Sequence, residues 1–270
     1  MTNQKLKAIH TNVTGLGNYM DCPARWEAEQ RLPRRPPSLA LFRGIWLDKA
    51  LTLYYTEKLA GDTLADTKLN EFYRAGLTAE KEKLEKEELE NWGTSMGVDL
   101  FDNIKMEQNL TVLGTKEIFN LSKIEPIEPQ KNLKLMVADF VEQDVQHDIT
   151  GRMDLHGIVN GISSIIEYKS PDKNMESKSY DFQISCYSCA FDEPKTTAYK
   201  IRFVANKTKF NGIYIDPFVI TQKIKDFTYR LIQEHISLMA RDVWVRRPNL
   251  SWLCGAKYCV NYFHCMPIEL

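Results

Sequence analysis

Residues 149–170 read ITGRMDLHGIVNGISSIIEYKS. Two β-rich runs flank Asn160-Gly161. Asn-Gly is the strongest short hairpin signal, because both central residues of a type I′ turn take positive φ. A two-residue loop sets Val159 opposite Ile162. Counting outward pair by pair, Asp154 falls opposite Glu167 and Arg152 opposite Lys169. Side chains alternate between faces, so these four share one face with His156 and Ile158. The other face carries Met153, Leu155, Val159, Ile162, Ile166 and Tyr168, which suits a core.

Facing carboxylates should stand roughly 5 Å apart at Cβ, where like charges are destabilising. A hard divalent cation held by Asp154 and Glu167 removes that penalty. Mg²⁺ commonly takes one or two carboxylates and completes its shell with water and phosphate oxygens. Lys169 points to the same place, where an ammonium can stabilise charge developing on phosphorus or orient the attacking water. The backbone carbonyl of Tyr168 is a further candidate ligand. The competing reading is a surface charge cluster in which Arg152 and Lys169 simply neutralise the two acids. Downstream, Gln183 and Tyr187 lie four residues apart and share one helical face. Such a pair can hold a phosphate or a metal-bound water, or can belong to an ordinary amphipathic helix.

Around this hairpin the hydrophobic period changes twice. Residues 12–30 read as helix running into Cys22-Pro23, and RLPRRPPS (31–38) as a basic, Pro-rich loop. Helical spacing returns from Ala40 to about Lys58. The charged run TAEKEKLEKEELENW is an exposed helix. From about residue 110 the period falls towards two, with strands in LTVLGTKEIFNL and NLKLMVADFVEQ. After the hairpin come a helix (SYDFQISCYSCAF), two strands (TAYKIRFVAN and FNGIYID) and a long helix that ends before Arg246-Arg247-Pro248. This order predicts an α/β (α+β) fold.

Composition narrows the class. With 43% hydrophobic and 26% charged residues among 270, the chain can bury a core and is neither disordered nor membrane-spanning in character. No apolar run spans a bilayer, and MTNQKLKAIH lacks a signal-peptide core, so a cytoplasmic protein without a membrane partner is expected. A net charge of −1 means that nucleic acid would need a local basic surface. Arg34, Arg35, Lys207, Lys209, Arg246, Arg247 and Trp252 are candidates for it. Of six cysteines, three crowd into CGAKYCVNYFHC, a pattern that in an intracellular chain points to a metal or cluster. Cys186 and Cys189 read as small buried hydrophobes.

Gly-Arg-Met-Asp (151–154), Glu-Tyr-Lys (167–169) and Gln-Ile-Ser-Cys-Tyr (183–187) together resemble the PD-(D/E)XK nuclease superfamily, and within it the RecB-like branch. Leu16-x-x-Tyr19-x-x-Cys22-Pro23-x-Arg25-Trp26 is similar to the N-terminal motif of that branch's iron–sulfur members. The resemblance implies a restriction-endonuclease-like core, a mixed central sheet flanked by helices, in a single nuclease domain over residues 1–270. It also implies a helical insertion over 58–105 and a cluster subdomain formed by 12–30 with 250–270. It makes Asp154 and Glu167 ligands for Mg²⁺ or Mn²⁺, Lys169 the catalytic lysine, and Gln183 and Tyr187 the helical motif that follows. Cys22, Cys254, Cys259 and Cys265 would hold a [4Fe–4S] cluster, with Zn²⁺ the alternative for four thiolates. Arg43-Gly44-x-x-x-Asp48 resembles a helical motif that ordinarily ends in a metal-binding His, and Asp48 stands in that place. Glu117 is an auxiliary acid candidate.

The implied function is metal-dependent hydrolysis of DNA, by an exonuclease acting on single-stranded or frayed ends. Stand-alone relatives of this kind serve CRISPR adaptation or phage recombination, and a phage-encoded protein would act in the host cytoplasm. The alternatives are a structure-specific endonuclease and a non-catalytic DNA-binding or assembly module of the same fold.

Overall fold

The protein is described by a computed structural model over residues 6–31, 39–63, 65–68, 71, 72, 75, 82, 123–169, 178–191, 196–205 and 210–243. The fold is mixed α/β. Strand β1 (His10–Asn12) leads into helix α1 (Val13–Asp21), capped by the Asn12 side chain, which accepts from the Gly15 N–H at 2.6 Å. Helix α2 (Pro23–Arg31) starts on proline, whose missing N–H costs nothing in a first turn. Helix α3 spans Leu39–Leu59, and a 3₁₀ turn follows at Ala65–Lys68.

Next come β2 (Glu125–Pro129), β3 (Asn132–Ala138), β4 (Gln146–Arg152), β5 (Leu155–Val159) and β6 (Ile162–Lys169). Helix α4 (Lys178–Cys189), strands β7 (Thr196–Ala205) and β8 (Phe210–Ile220), and helix α5 (Gln222–Ala240) complete the described order. Val219 and Ile220 belong to β8, and α5 begins after the Thr221 cap. Pro217 lies in β8, which closes one edge of its sheet, where a missing N–H is tolerated. No helix among the described residues is long and apolar enough to cross a membrane.

Two sheets form. The larger has the order β2-β5-β6-β7-β8, with β6 and β7 parallel and the other neighbours antiparallel. The smaller has the order β1-β4-β3. Helix α3 covers one face of the large sheet through Leu51, Tyr54 and Tyr55 against Leu155, Ile166 and Tyr168. Helices α1, α4 and α5 pack a second core around Leu16, Ile184 and Ile236 with Ile165 and Ala198.

The Asn160-Gly161 turn forms as the sequence requires, with φ of 53° and 74°. Its ladder pairs Val159 with Ile162 and continues to Leu155 with Ile166. There the expected single strand is interrupted. The run 149–159 is two strands, β4 in the small sheet and β5 in the large one, broken at Met153-Asp154. The connection from β2 to β3 crosses between the same two sheets. Gln130, at its turn with φ of 54°, donates its N–H to the Asp154 carbonyl, and Met153 donates to the Lys131 carbonyl. Two expectations change in consequence. Arg152 pairs with Asn132 and does not face Lys169 in the ladder. Met153 leaves the face of Leu155 and enters the opposite core.

The 58–105 insertion beyond the 3₁₀ turn lies almost wholly outside the described residues. So do the strand expected at 110–121, Glu117, the basic candidates and Trp252, and Cys254, Cys259 and Cys265.

Candidate active site

The break at Met153-Asp154 frees Asp154 from ladder pairing and turns its carboxylate onto the next strand. Its Oδ2 accepts the backbone N–H of Tyr168 at 2.7 Å. In return the Asp154 N–H donates to Glu167 Oε1 at 3.2 Å. Lys169 Nζ donates to Glu167 Oε2 at 2.9 Å. Glu167 is 1% exposed, on a strand with helices against both faces. Asp154, Glu167 and Lys169 thus form one interlocked group at the end of β6.

Asp48 joins them from α3. Its Oδ1 accepts from Gln130 Nε2 at 2.6 Å, and it feels the charge of Asp154. Gln130 was not foreseen. It reaches a helix 82 positions away in sequence, and only the corner between the sheets brings the two together. Arg152, absent from the ladder opposite Lys169, still acts on both Asp48 and Asp154 as a nearby positive charge.

Gln183 and Tyr187 share one face of α4, as their spacing requires. Gln183 Nε2 donates to the Tyr187 hydroxyl at 2.7 Å, and that hydroxyl donates to the Arg152 carbonyl at 3.1 Å. This gives Gly151 its reason. A Cβ at 151 would stand 2.5 Å from Tyr187 Cε1, so only glycine lets the ring lie against β4. The motif at 151–154 and the motif at 183–187 are two sides of one contact.

The electrostatics of the group are those of an excess of buried acid. Burial, and Asp154 after it, push Glu167 up to about 8. Burial also raises Asp154, against the pull of Lys169, the Tyr168 N–H and Arg152. Asp48 is pushed up to about 6 by burial and by Asp154. Burial alone would lower Lys169, but Glu167 and Asp154 outweigh it and hold the ammonium above its ordinary value. The Tyr187 phenol is raised by burial and then by Glu167. Among the described residues, one lysine and one arginine leave three acids undercompensated, and buried charge of this kind calls for a counter-ion.

The donor chemistry fits a hard divalent cation that keeps much of its water shell. Among the described residues, no group of three or more His, Cys, Asp or Glu forms a ready-made metal cage. A site of two carboxylates plus water and substrate oxygens is what these residues offer.

Other singled-out residues lie elsewhere. His156 is buried, with Nε2 2.9 Å from Ser163 Oγ and its ring edge-on to Phe191. Cys186 is buried and Cys189 half-buried, both as free thiols raised by burial. Tyr168 sends its ring into the α3 core, stacked on Tyr55. Cys22 is buried just after α1.

A buried Glu and a half-buried Asp and Lys at the end of one strand pair, backed by a Gln and a Tyr from the following helix, make up the candidate carboxylate–lysine site. The chain belongs to the PD-(D/E)XK nuclease superfamily, whose family model matches residues 10–259. Among curated proteins none matches. A crystal structure from Eubacterium rectale, provisionally named an exonuclease, is similar at 12% identity and a TM-score of 0.48, covering 94% of this chain and 92% of that one. A second, that of SSO0001, is similar at 17% identity and a TM-score of 0.35, covering 68% of this chain and 80% of that one.

Proposed function

We propose that this chain is a Mg²⁺- or Mn²⁺-dependent deoxyribonuclease that hydrolyses phosphodiester bonds, working as an exonuclease on single-stranded or frayed ends. One observation carries the reading: the interlocked Asp154, Glu167 and Lys169, with more buried acid than their own cations balance. Asp154 and Glu167 would hold the metal, with the Tyr168 carbonyl and Asp48 as further oxygen donors. When bound, such a cation activates water and offsets charge building on the phosphoryl oxygens.

Lys169 is held charged by its two acids, which supports a role for it in meeting the phosphate. Glu167 fixes the ammonium, and the Asp154 N–H in turn fixes Glu167. Gln183 and Tyr187 brace the strand from the helix side through the Arg152 carbonyl. Gln130 fixes the carboxylate of Asp48.

A [4Fe–4S] cluster on Cys22, Cys254, Cys259 and Cys265 is part of this proposal, with Zn²⁺ as the alternative. The Tyr19 hydroxyl donates to the Val243 carbonyl at 2.6 Å, so the described chain ends beside the helix that leads into Cys22. That supports joining the two cysteine regions. A brown, iron-containing protein is the expected product of anaerobic purification, and a colourless zinc protein would replace the cluster with zinc.

Labelled single- and double-stranded DNA, incubated with the protein and Mg²⁺ or Mn²⁺, tests the catalytic reading. Cleavage that shortens fragments from an end, stops with chelator and is lost in Lys169→Ala is expected. Equal behaviour of wild type and Lys169→Ala under every condition overturns it.

A further inference from the structure

Helices α1, α4 and α5 enclose an open groove of about 780 Å³ outside the acidic site. Its walls include Gly17 and Met20 from α1, Phe182 and Gln183 from α4, and Ile224 and Phe227 from α5. Gln183 lines the groove and donates to Tyr187, whose hydroxyl bonds the Arg152 carbonyl beside the acidic site. The volume falls in the range of about 300–1,000 Å³ typical of small-molecule pockets.

The outer lip is unusual. Phe227 is 67% exposed, although it is a large aromatic on a helix whose other face packs the core. Lys223 and Arg230, both exposed, stand four residues before and three residues after it, which places them on the same stripe of α5. Asp226 beside them accepts from Gln222. An exposed ring between two cations is the arrangement that stacks a base and meets the phosphates on either side of it, and it is indifferent to sequence. Inside the groove Asp21 and Asp181 repel a phosphate, and Lys200 already engages Asp181 at 2.7 Å. A neutral base can enter where the backbone cannot.

We infer that this groove, with the Lys223–Phe227–Arg230 ridge, takes an unstacked base of a single DNA strand whose backbone runs on to the acidic site; the inference rests on the DNA nuclease function proposed above. The ridge holds the strand by charge and stacking, and the groove receives the base.

The test is binding by the full-length protein in chelator, where no cleavage occurs, so its outcome is independent of whether Lys169→Ala abolishes turnover. The probes are a fluorescent oligo(dT) of about 20 nucleotides and the same oligonucleotide with abasic spacers in place of its bases. Phe227→Ala should weaken oligo(dT) binding about 5- to 150-fold, the scale of one lost base–aromatic stack. The salt dependence of binding should be unchanged in that variant, since no phosphate contact is removed. The abasic probe should bind wild type as weakly as oligo(dT) binds the variant. Gly17→Leu fills the groove from α1, where a Cβ stands 3.9 Å from Phe182 Cδ1 in ordinary contact, and should weaken oligo(dT) binding as well. Equal affinity of wild type and either variant for oligo(dT) overturns the inference. So does a Phe227→Ala protein that keeps its DNA affinity and loses self-association by light scattering, which would make the ridge a contact between copies.

Discussion

Asp139 and Glu167 are both acids with essentially no exposure, at 0% and 1%, yet they stand in opposite electrostatic states. Asp139 accepts from five donors. The N–H groups of Val141 and Glu142 and one Arg241 nitrogen meet Oδ1, while His147 Nε2 and a second Arg241 nitrogen meet Oδ2. His147 Nδ1 accepts the Ile9 N–H, which leaves Nε2 to meet Asp139. Led by the Arg241 fork, these donors hold Asp139 well below the ordinary carboxylate range despite its burial. Glu167 has Lys169 and one longer N–H bond, and Asp154 sits against it, so burial drives it upward. Burial alone therefore does not set the state of an acid; the number of donors does. The Asp139 network is complete as folded and ties β3, β4 and α5 together. Under the proposed function, a cation would complete the Glu167 group.

Substitution at the two acids should separate them most sharply. Glu167→Gln should lower cleavage by on the order of 10³-fold, the scale of losing one transition-state stabiliser. In metal-free protein above pH 8, where Glu167 is ionised, the same change should raise Tm, because it removes a buried charge. Asp139→Asn should do the reverse: about 3–5 kcal/mol of stability lost in urea titration, with turnover per folded molecule preserved. A shift of both variants in the same direction would erase the distinction.

The pH dependence should divide in the same way. Glu167 titrates higher when folded than unfolded, so the native state binds the extra proton. Its contribution to stability is then present at low pH and lost as pH rises from about 4.5 towards about 8. Asp139 is depressed when folded, so its contribution is full above about 4 and fades as the solution is acidified below that. Thermal melts across pH, with and without Mg²⁺ or Mn²⁺, should therefore show a larger gain from the cation at pH 8 than at pH 5.

Two smaller effects sharpen the picture around the site. Gly151→Ala forces a methyl into the Tyr187 ring and should cost about 1–3 kcal/mol as overpacking, with a matching fall in activity. Gln130→Ala removes the hydrogen bond that lowers Asp48 from its burial-raised value. The acid limb of the pH–rate profile should move upward by a fraction of a unit.

Much of this was legible in sequence where one local rule governs. Asn160-Gly161 set the hairpin register, the four-residue step set Gln183 beside Tyr187, and hydrophobic period placed α3, α4 and α5 to within a few residues. What could not be read depended on contacts between distant segments. Period-two alternation runs unbroken through Met153 and Asp154, so nothing local announced that the strand changes sheets there. The misplacing of Arg152 and Met153 followed from that one break. Gln130 shows no signal of its own, since its partner lies on a helix far back in the chain. Gly151 was visible as part of a motif, but its necessity is a property of the Tyr187 ring lying against it.

Strand β6 has a further consequence as a proofreader. Ile165 and Glu167 face one way, Ile166 and Tyr168 the other, and all four are buried. A slip of one residue along the hairpin would drive the glutamate into the tyrosine-lined core beneath α3 and put isoleucine among the acids. Misassembly would thus forfeit both cores at once. A chain in the wrong register would not assemble Asp154, Glu167 and Lys169, so under the proposed function the capacity to cut would arrive only with the correctly folded molecule.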